Sequence, residues 1–259
     1  MAFENTYLIE IQYLGFRYSG WMKQPRVKTV EAMVEKTLAF VLGHKDFRIL
    51  GAGRTDAMVS ALHHAFALYI NTPLPAGFLD EFNANLPPDI RALDLGPVTD
   101  ADFNILQSPR IKEYAYYFAA GEKLHPFCAP FMAGFPDALD LDTMAAGARL
   151  FEGPHYFGQY CTQPGADTVL DREISRCRLV ENTALTANFF PETSHVLQVH
   201  GRGFLRYQIR LIMGQLVRLG RGEISLDEIR TSLTREGAGD PLPTIAPASG
   251  LILERVRFH

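Results

Sequence analysis

GAGRTDAMVSALHHAFALYI, residues 51–70, changes character halfway, and that change decides the fold class. Its first half holds two glycines, a cation and a carboxylate. It reads as a turn, because glycine reaches backbone angles closed to other residues. Its second half reads as a strand, with His64, Phe66, Leu68 and Ile70 on one side. A polar loop bearing Arg54 and Asp56 therefore runs straight into a half-buried strand.

The flanking segments extend this into a mixed architecture. Residues 7–13, YLIEIQY, alternate so that Tyr7, Ile9, Ile11 and Tyr13 share a face, which predicts a strand. YLGFRYSGWMKQP follows as an aromatic and basic loop. Thr29 is placed to cap a helix whose inner face carries Val30, Met33, Val34, Thr37, Leu38 and Val41, with Gly43 near its end. Downstream, FLDEFNANL is predicted as a helix stopped by Pro87 and Pro88, and IRALDLG as a strand.

The rest of the chain repeats this grammar loosely. KEYAYYFAA reads as a strand, residues 125–138 as a loop, and LDTMAAGARLFEG as a helix. REISRCRLVE and HVLQVHG read as strands. FLRYQIRLIMGQLVRLG predicts a helix with Leu205, Ile209, Ile212, Met213 and Leu216 on one face. Ser225 and Glu228 suit a capping box, and LILERVRF closes the chain as a cleanly alternating strand. The pattern predicts an α+β fold of two halves, residues 1–105 and 106–259, with helices packed on antiparallel sheet. No low-complexity linker separates them, so the halves are expected to share one sheet.

Composition sets wide bounds. Of 259 residues, 47% are hydrophobic, enough for a sizeable core. The formal charge of -4 excludes a uniformly basic nucleic-acid coat but permits a local basic face. Three widely spaced cysteines, Cys128, Cys161 and Cys177, have no zinc-ligand or redox-motif spacing. No signal-like start and no membrane-length apolar run is present, so a cytoplasmic location is the expectation.

Three places carry candidate chemistry. Arg54 and Asp56 lie two residues apart, so on an extended backbone they face the same side. A cation there can meet phosphate or base edges, while Asp56 can serve as nucleophile or general base. The alternative is an aspartate satisfying turn amides and a surface arginine pair. The string lacks the GK[ST] ending of a phosphate-binding loop, and His63 and His64 have no partner at metal spacing. Second, Tyr13, Phe16, Tyr18 and Trp21 are interleaved with Arg17, Lys23, Arg26 and Lys28. Rings stack bases and cations meet phosphates, or else the rings pack in a core with the cations in solvent. Third, Arg206 and Arg210 are four apart on one predicted helical face, flanked by Arg202, Arg218 and Arg221. They form either a basic ridge or a solvated helix face.

These motifs, in this order, resemble the TruA family of tRNA pseudouridine synthases over nearly the whole chain. YLGFRYSGWMKQP, TVEAMVEKTL, GRTDA, NANLPPDI, KEYAYYF, GPHYF, GFLRYQIRLIMGQLVRLGRG and APASGLILERVRF each match a family segment. The resemblance implies two ferredoxin-like halves fused around an extended antiparallel sheet. It implies a cofactor-free, metal-free isomerase that converts uridine to pseudouridine in the anticodon arm of tRNA, at nucleotides 38 to 40. Asp56 would be the catalytic carboxylate. Arg54 would help flip out the target nucleotide, and Tyr114 would pack against its base. Leu205 and Arg206 would border the pocket, with Arg206 pairing Asp56. Arg17, Lys23, Arg26, Arg202 and Arg210 are RNA-binding candidates in a positively charged cleft, and a homodimer is implied. A synthase acting on another RNA, or a catalytically weak RNA-binding relative, is the alternative. The chain departs from the family pattern at Met58 (glycine), Ser60 (histidine), Leu106 (arginine) and Tyr156 (an acid). Met58 is expected to alter the catalytic loop if the backbone there requires glycine.

Overall fold

FRILG, residues 47–51, forms a strand that the sequence pattern does not mark, and it completes the first half of the chain. The computed structural model describes residues 3–237 and 239–258. They fall into two compact units. One runs to Arg110 and takes in the chain from Leu253 onward, and the other runs from Ile111 to Ile252.

The first unit contains β1 (Asn5–Tyr13), α1 (Val30–Leu42), β2 (Phe47–Gly51), β3 (Ser60–Ile70), α2 (Phe78–Asn85) and β4 (Ile90–Pro97). β1 lies between β3 and β4 and is antiparallel to both, and β2 is antiparallel to β3. The register places Ile9 opposite Phe66 and Ile11 opposite His64, so the predicted alternation becomes one buried face. Thr29 caps α1 by accepting from Ala32 N–H at 3.3 Å. Gly43 ends it in the left-handed conformation at φ 73°. Val30, Val34, Thr37 and Leu38 form the buried stripe, as their helical spacing requires. Asn83 of α2 clamps β4 with two side-chain bonds to the backbone of Ala92, at 2.8 and 2.9 Å.

The second unit contains β5 (Ile111–Ala120), β6 (Ala133–Phe135), α3 (Leu141–Arg149), β7 (Gly153–Tyr156), β8 (Asp171–Glu181), β9 (His195–Gly201), α4 (Gln208–Gly220) and α5 (Leu226–Ser232). Its sheet runs β5-β9-β8-β7, with β6 parallel to β5. The last strand, β10 (Leu251–Arg257), lies beside β3, giving the order β4-β1-β3-β10. The Ser225–Glu228 capping box forms in both directions.

Several expectations need correction. Residues 125–138 are not all loop, since β6 lies within them. LDTMAAGARLFEG ends its helix at Arg149, and the residues after it enter β7. The closing strand buries Leu251, Ile252 and Leu253 in succession, because a strand covered on both faces loses its alternation. α4 begins only at Gln208, so Leu205 and Arg206 precede the helix. It is also buried nearly all round rather than along one stripe. Gly147 of α3 makes that possible, because a β-carbon there would lie 2.4 Å from Leu219.

A clamped aspartate loop and an arginine turn

The segment between β2 and β3 carries Asp56, and the loop after β1 holds it in place. Thr55 is the anchor. Its side chain is buried, and its hydroxyl meets the Tyr13 hydroxyl at 2.9 Å. Its carbonyl accepts from Trp21 N–H at 3.2 Å. Gly20, at φ 91°, admits that carbonyl where a β-carbon would lie 2.6 Å from it. Met58 N–H donates to Tyr18 O at 3.0 Å, and Val59 N–H to Asp56 O at 3.2 Å. With Thr55 turned inward, Arg54 is exposed and Asp56 half-buried. Burial alternates along this loop from exposed Arg54 through buried Thr55 to half-buried Asp56.

Three of the four rings of YLGFRYSGW settle an open alternative, while Phe16 is half-buried. Tyr13, Tyr18 and Trp21 are buried at 4%, 2% and 1% exposure, so they pack inside the protein rather than stack bases. Trp21 lies edge-on to His64, with ring centres 4.2 Å apart. Gly51 leaves room for the indole, since a β-carbon there would lie 2.4 Å from its nitrogen. Gly51 thus serves close approach rather than an unusual backbone angle. Arg17 and Tyr18 both bind Asp89, with Arg17 Nη2 at 2.6 Å and the Tyr18 hydroxyl at 2.7 Å. Partial burial opposes the charged carboxyl, but these hydrogen bonds outweigh it and hold Asp89 below the usual carboxylate range. Arg17 therefore braces the loop. Lys23 pairs with Glu35 of α1, and Arg26 is exposed.

The departures within this loop acquire roles. Ser60 is buried and its hydroxyl accepts from Gly15 N–H at 2.9 Å, so it ties the two loops together. Met58 occupies the left-handed region at φ 67°, where an unbranched non-glycine residue is strained. Its side chain is 37% exposed and its hydrogen bond to Tyr18 is made by the backbone. Met58→Gly is accordingly expected to stabilise the protein by roughly 0.5 kcal/mol, the strain relieved exceeding the chain entropy lost. Urea denaturation checks this, and a lower midpoint would contradict it. Leu106 is 57% exposed. Tyr156 lies beneath the Arg235 guanidinium, 4.7 Å from its ring centre.

The second unit builds a cluster around Tyr114. It is buried on β5 and meets the Phe204 ring edge-on at 5.3 Å. Phe204 opens the turn that bears Leu205 and Arg206. Gln208, the first residue of α4, accepts from Leu205 N–H at 2.8 Å and fixes that turn. Tyr207 follows in the left-handed conformation at φ 63°. Arg206 and Arg210 do not share a helical face. They meet at Tyr207, with guanidinium carbons 5.2 and 5.0 Å from its ring centre. Arg206 also donates to Gln163 at 2.8 Å, and Arg210 to the Ala246 carbonyl at 2.7 Å. Arg202 is exposed. Lys112, two residues before Tyr114 on the same face of β5, has its ammonium pushed down by burial.

Among the described residues, no group of three His, Cys, Asp or Glu side chains is placed to hold a metal ion. No described helix is long and apolar enough to cross a membrane.

Known proteins match this arrangement along the chain. A family profile described as tRNA pseudouridine synthase matches residues 148–259. The tRNA pseudouridine synthase A of Solibacter usitatus is 33% identical over 251 residues, covering 96% of this chain and 98% of that protein. The tRNA pseudouridine synthase A 2 of Desulfotalea psychrophila is 32% identical, covering 97% and 98%. The tRNA pseudouridine synthase A of Geobacter sulfurreducens is 30% identical, covering 98% and 100%. With such identity over nearly full length, and with the GRTDA loop and the FLR turn both in place, the chain belongs to the TruA family of tRNA pseudouridine synthases.

Proposed function

We propose that the protein isomerises uridine to pseudouridine in the anticodon stem-loop of tRNA, with Asp56 as the catalytic carboxylate. One observation carries the assignment of Asp56. The side chain stands half-buried on a loop whose neighbouring residue, Thr55, is locked inside by Tyr13 and Trp21. A reacting group held this way loses little entropy when substrate arrives. The N-glycosidic bond to ribose breaks, the base turns, and a carbon–carbon bond replaces it. The base carbon gives up a proton and the freed nitrogen gains one, so the product is an isomer and no co-reactant is consumed.

The other residues supply access and grip. The reacting atoms of a stem uridine lie inside a stack, so the nucleotide has to leave it. Exposed Arg54 takes its place, and Tyr114 packs against the extracted base. Leu205 and Arg206 border the pocket and position the nucleotide. Arg202 and Arg26 are exposed and suit phosphate contacts, whereas Arg17, Lys23 and Arg210 already hold protein partners. Each half is ferredoxin-like in our reading. The strand–helix–strand–strand–helix–strand order of the first unit, with β1 central between β4 and β3, supports this. The working form is a homodimer in the cytoplasm.

The test uses bulk tRNA prepared without pseudouridine and maps the product by carbodiimide-dependent reverse-transcription stops. New stops in the anticodon arm are expected. Stops confined to parts of the tRNA outside the anticodon arm, or none at all with folded protein, would overturn this reading.

A further inference from the structure

Residues 23–48 carry six lysines and arginines against three carboxylates, in a chain whose overall charge is -4. Local charge thus opposes the total, and it coincides with a cavity of about 570 Å³ on the first unit. Lys23, Glu35, Lys36, Phe40, Lys45 and Phe47 line it. Neither Arg54 nor Asp56 does. A volume of that size suits a nucleotide.

The lining divides into parts with different duties. Lys23 and Glu35 pair with each other and neutralise one wall. Lys36 and Lys45 are exposed and leave a net positive rim. Phe40, on the outer face of α1, is 73% exposed, the largest exposure among the large apolar side chains described. The buried stripe of α1 does not need it, since Val30, Val34, Thr37 and Leu38 supply the inner face. An exposed aromatic ring beside two ammonium groups has the chemistry that holds RNA away from Watson–Crick readout: the ring stacks a base and the cations meet phosphates.

We infer that Phe40, Lys36 and Lys45 form an accessory RNA-binding site, in which an unpaired base of the tRNA substrate stacks on Phe40 while adjoining phosphates meet the two lysines. The inference rests on the tRNA reading above for the identity of the RNA. Charge complementarity to phosphate, together with an exposed ring on which a base can stack, selects RNA as the occupant.

Three variants on the solvent side of α1 and its following loop test the site with folding preserved. Filter binding of pseudouridine-free tRNA over a salt series is measured for the wild type, Phe40→Leu, Phe40→Tyr and Lys36→Ala/Lys45→Ala. Phe40→Leu, which keeps apolar bulk but loses the ring, should weaken binding by roughly 5-fold or more. Phe40→Tyr should restore it. The double lysine variant should flatten the log affinity against log salt slope by about 1.5, the loss of two phosphate contacts. KM for tRNA should follow the binding constants with kcat unchanged. Wild-type affinity in Phe40→Leu, or an unchanged salt slope in the lysine pair, overturns the site. Absence of catalysis by the wild type would instead strike the isomerase reading, because binding is read without turnover.

Discussion

Asp56→Asn is expected to lower pseudouridine formation by at least about 10³-fold while leaving stability and tRNA affinity close to those of the wild type. The substitution keeps the side-chain volume and removes the charge and the basic oxygen. What fixes the loop is not the Asp56 side chain alone. The Asp56 carbonyl accepts from Val59 N–H, Thr55 is bound through its own hydroxyl and carbonyl, and Met58 N–H reaches Tyr18 O. All these bonds survive in the asparagine variant, so a loss of activity reports the carboxylate rather than the loop. Single-turnover conversion of pseudouridine-free tRNA, with filter binding alongside, separates the two quantities. Activity within tenfold of the wild type, with intact binding, would remove Asp56 from the chemistry. Loss of binding equal to the loss of rate would make it a substrate-holding residue instead.

The two-residue spacing of Arg54 and Asp56 leaves a turn aspartate equally open, and the likeness of GRTDA to a family motif is what singles Asp56 out. That string is local and can be read without knowing the fold. The same holds for α1, whose cap, stripe and terminating glycine all lie within fifteen residues of one another. β2 was illegible for the opposite reason. FRILG is five residues long and gains its identity from pairing with β3, where Ile49 lies opposite Leu68. The membership of the chain from Leu253 onward in the first unit is equally non-local. Nothing in LILERVRF names β3 as its neighbour.

The arginine turn shows a different limit. Helical spacing runs without a break from Leu205 to Leu219, and periodicity alone extends α4 through the turn. Tyr207 stops it, by taking a left-handed conformation that sequence patterns assign to glycine or asparagine. Arg206 and Arg210 then converge on one ring instead of on one helical face. The burial of Tyr13, Tyr18 and Trp21 was open in the sequence because an aromatic residue among cations suits a core and a base-stacking surface alike. The loop crossing decides it. These rings fill the space between the loop after β1 and the loop before β3, and the glycines around them admit backbone where side chains would not fit.

That crossing makes Gly15 the most exacting position in the first unit. A β-carbon there would lie 1.9 Å from the Val59 carbonyl oxygen and 2.3 Å from its carbon. Both are backbone atoms, so no flexible side chain can yield. Gly15→Ala is expected to destabilise the protein by about 3 kcal/mol, at the upper end of overpacking effects. Gly43→Ala provides the control. Its β-carbon meets nothing within 4 Å, and only the backbone angle of φ 73° opposes it, worth about 1 kcal/mol. Urea denaturation of both variants should therefore give clearly separated midpoints, with Gly15→Ala the lower. The damage is also directional. Val59 directly follows the segment that holds Asp56, and Gly15 N–H is bound to Ser60 on the other side of it. Displacing this contact moves the end of the loop that bears Asp56, so kcat should fall more than KM rises, even below the denaturation midpoint. Gly43→Ala should leave kcat unchanged. Equal stability of the two variants, or a Gly15→Ala enzyme with wild-type kcat, would mean that the loop crossing does not position Asp56.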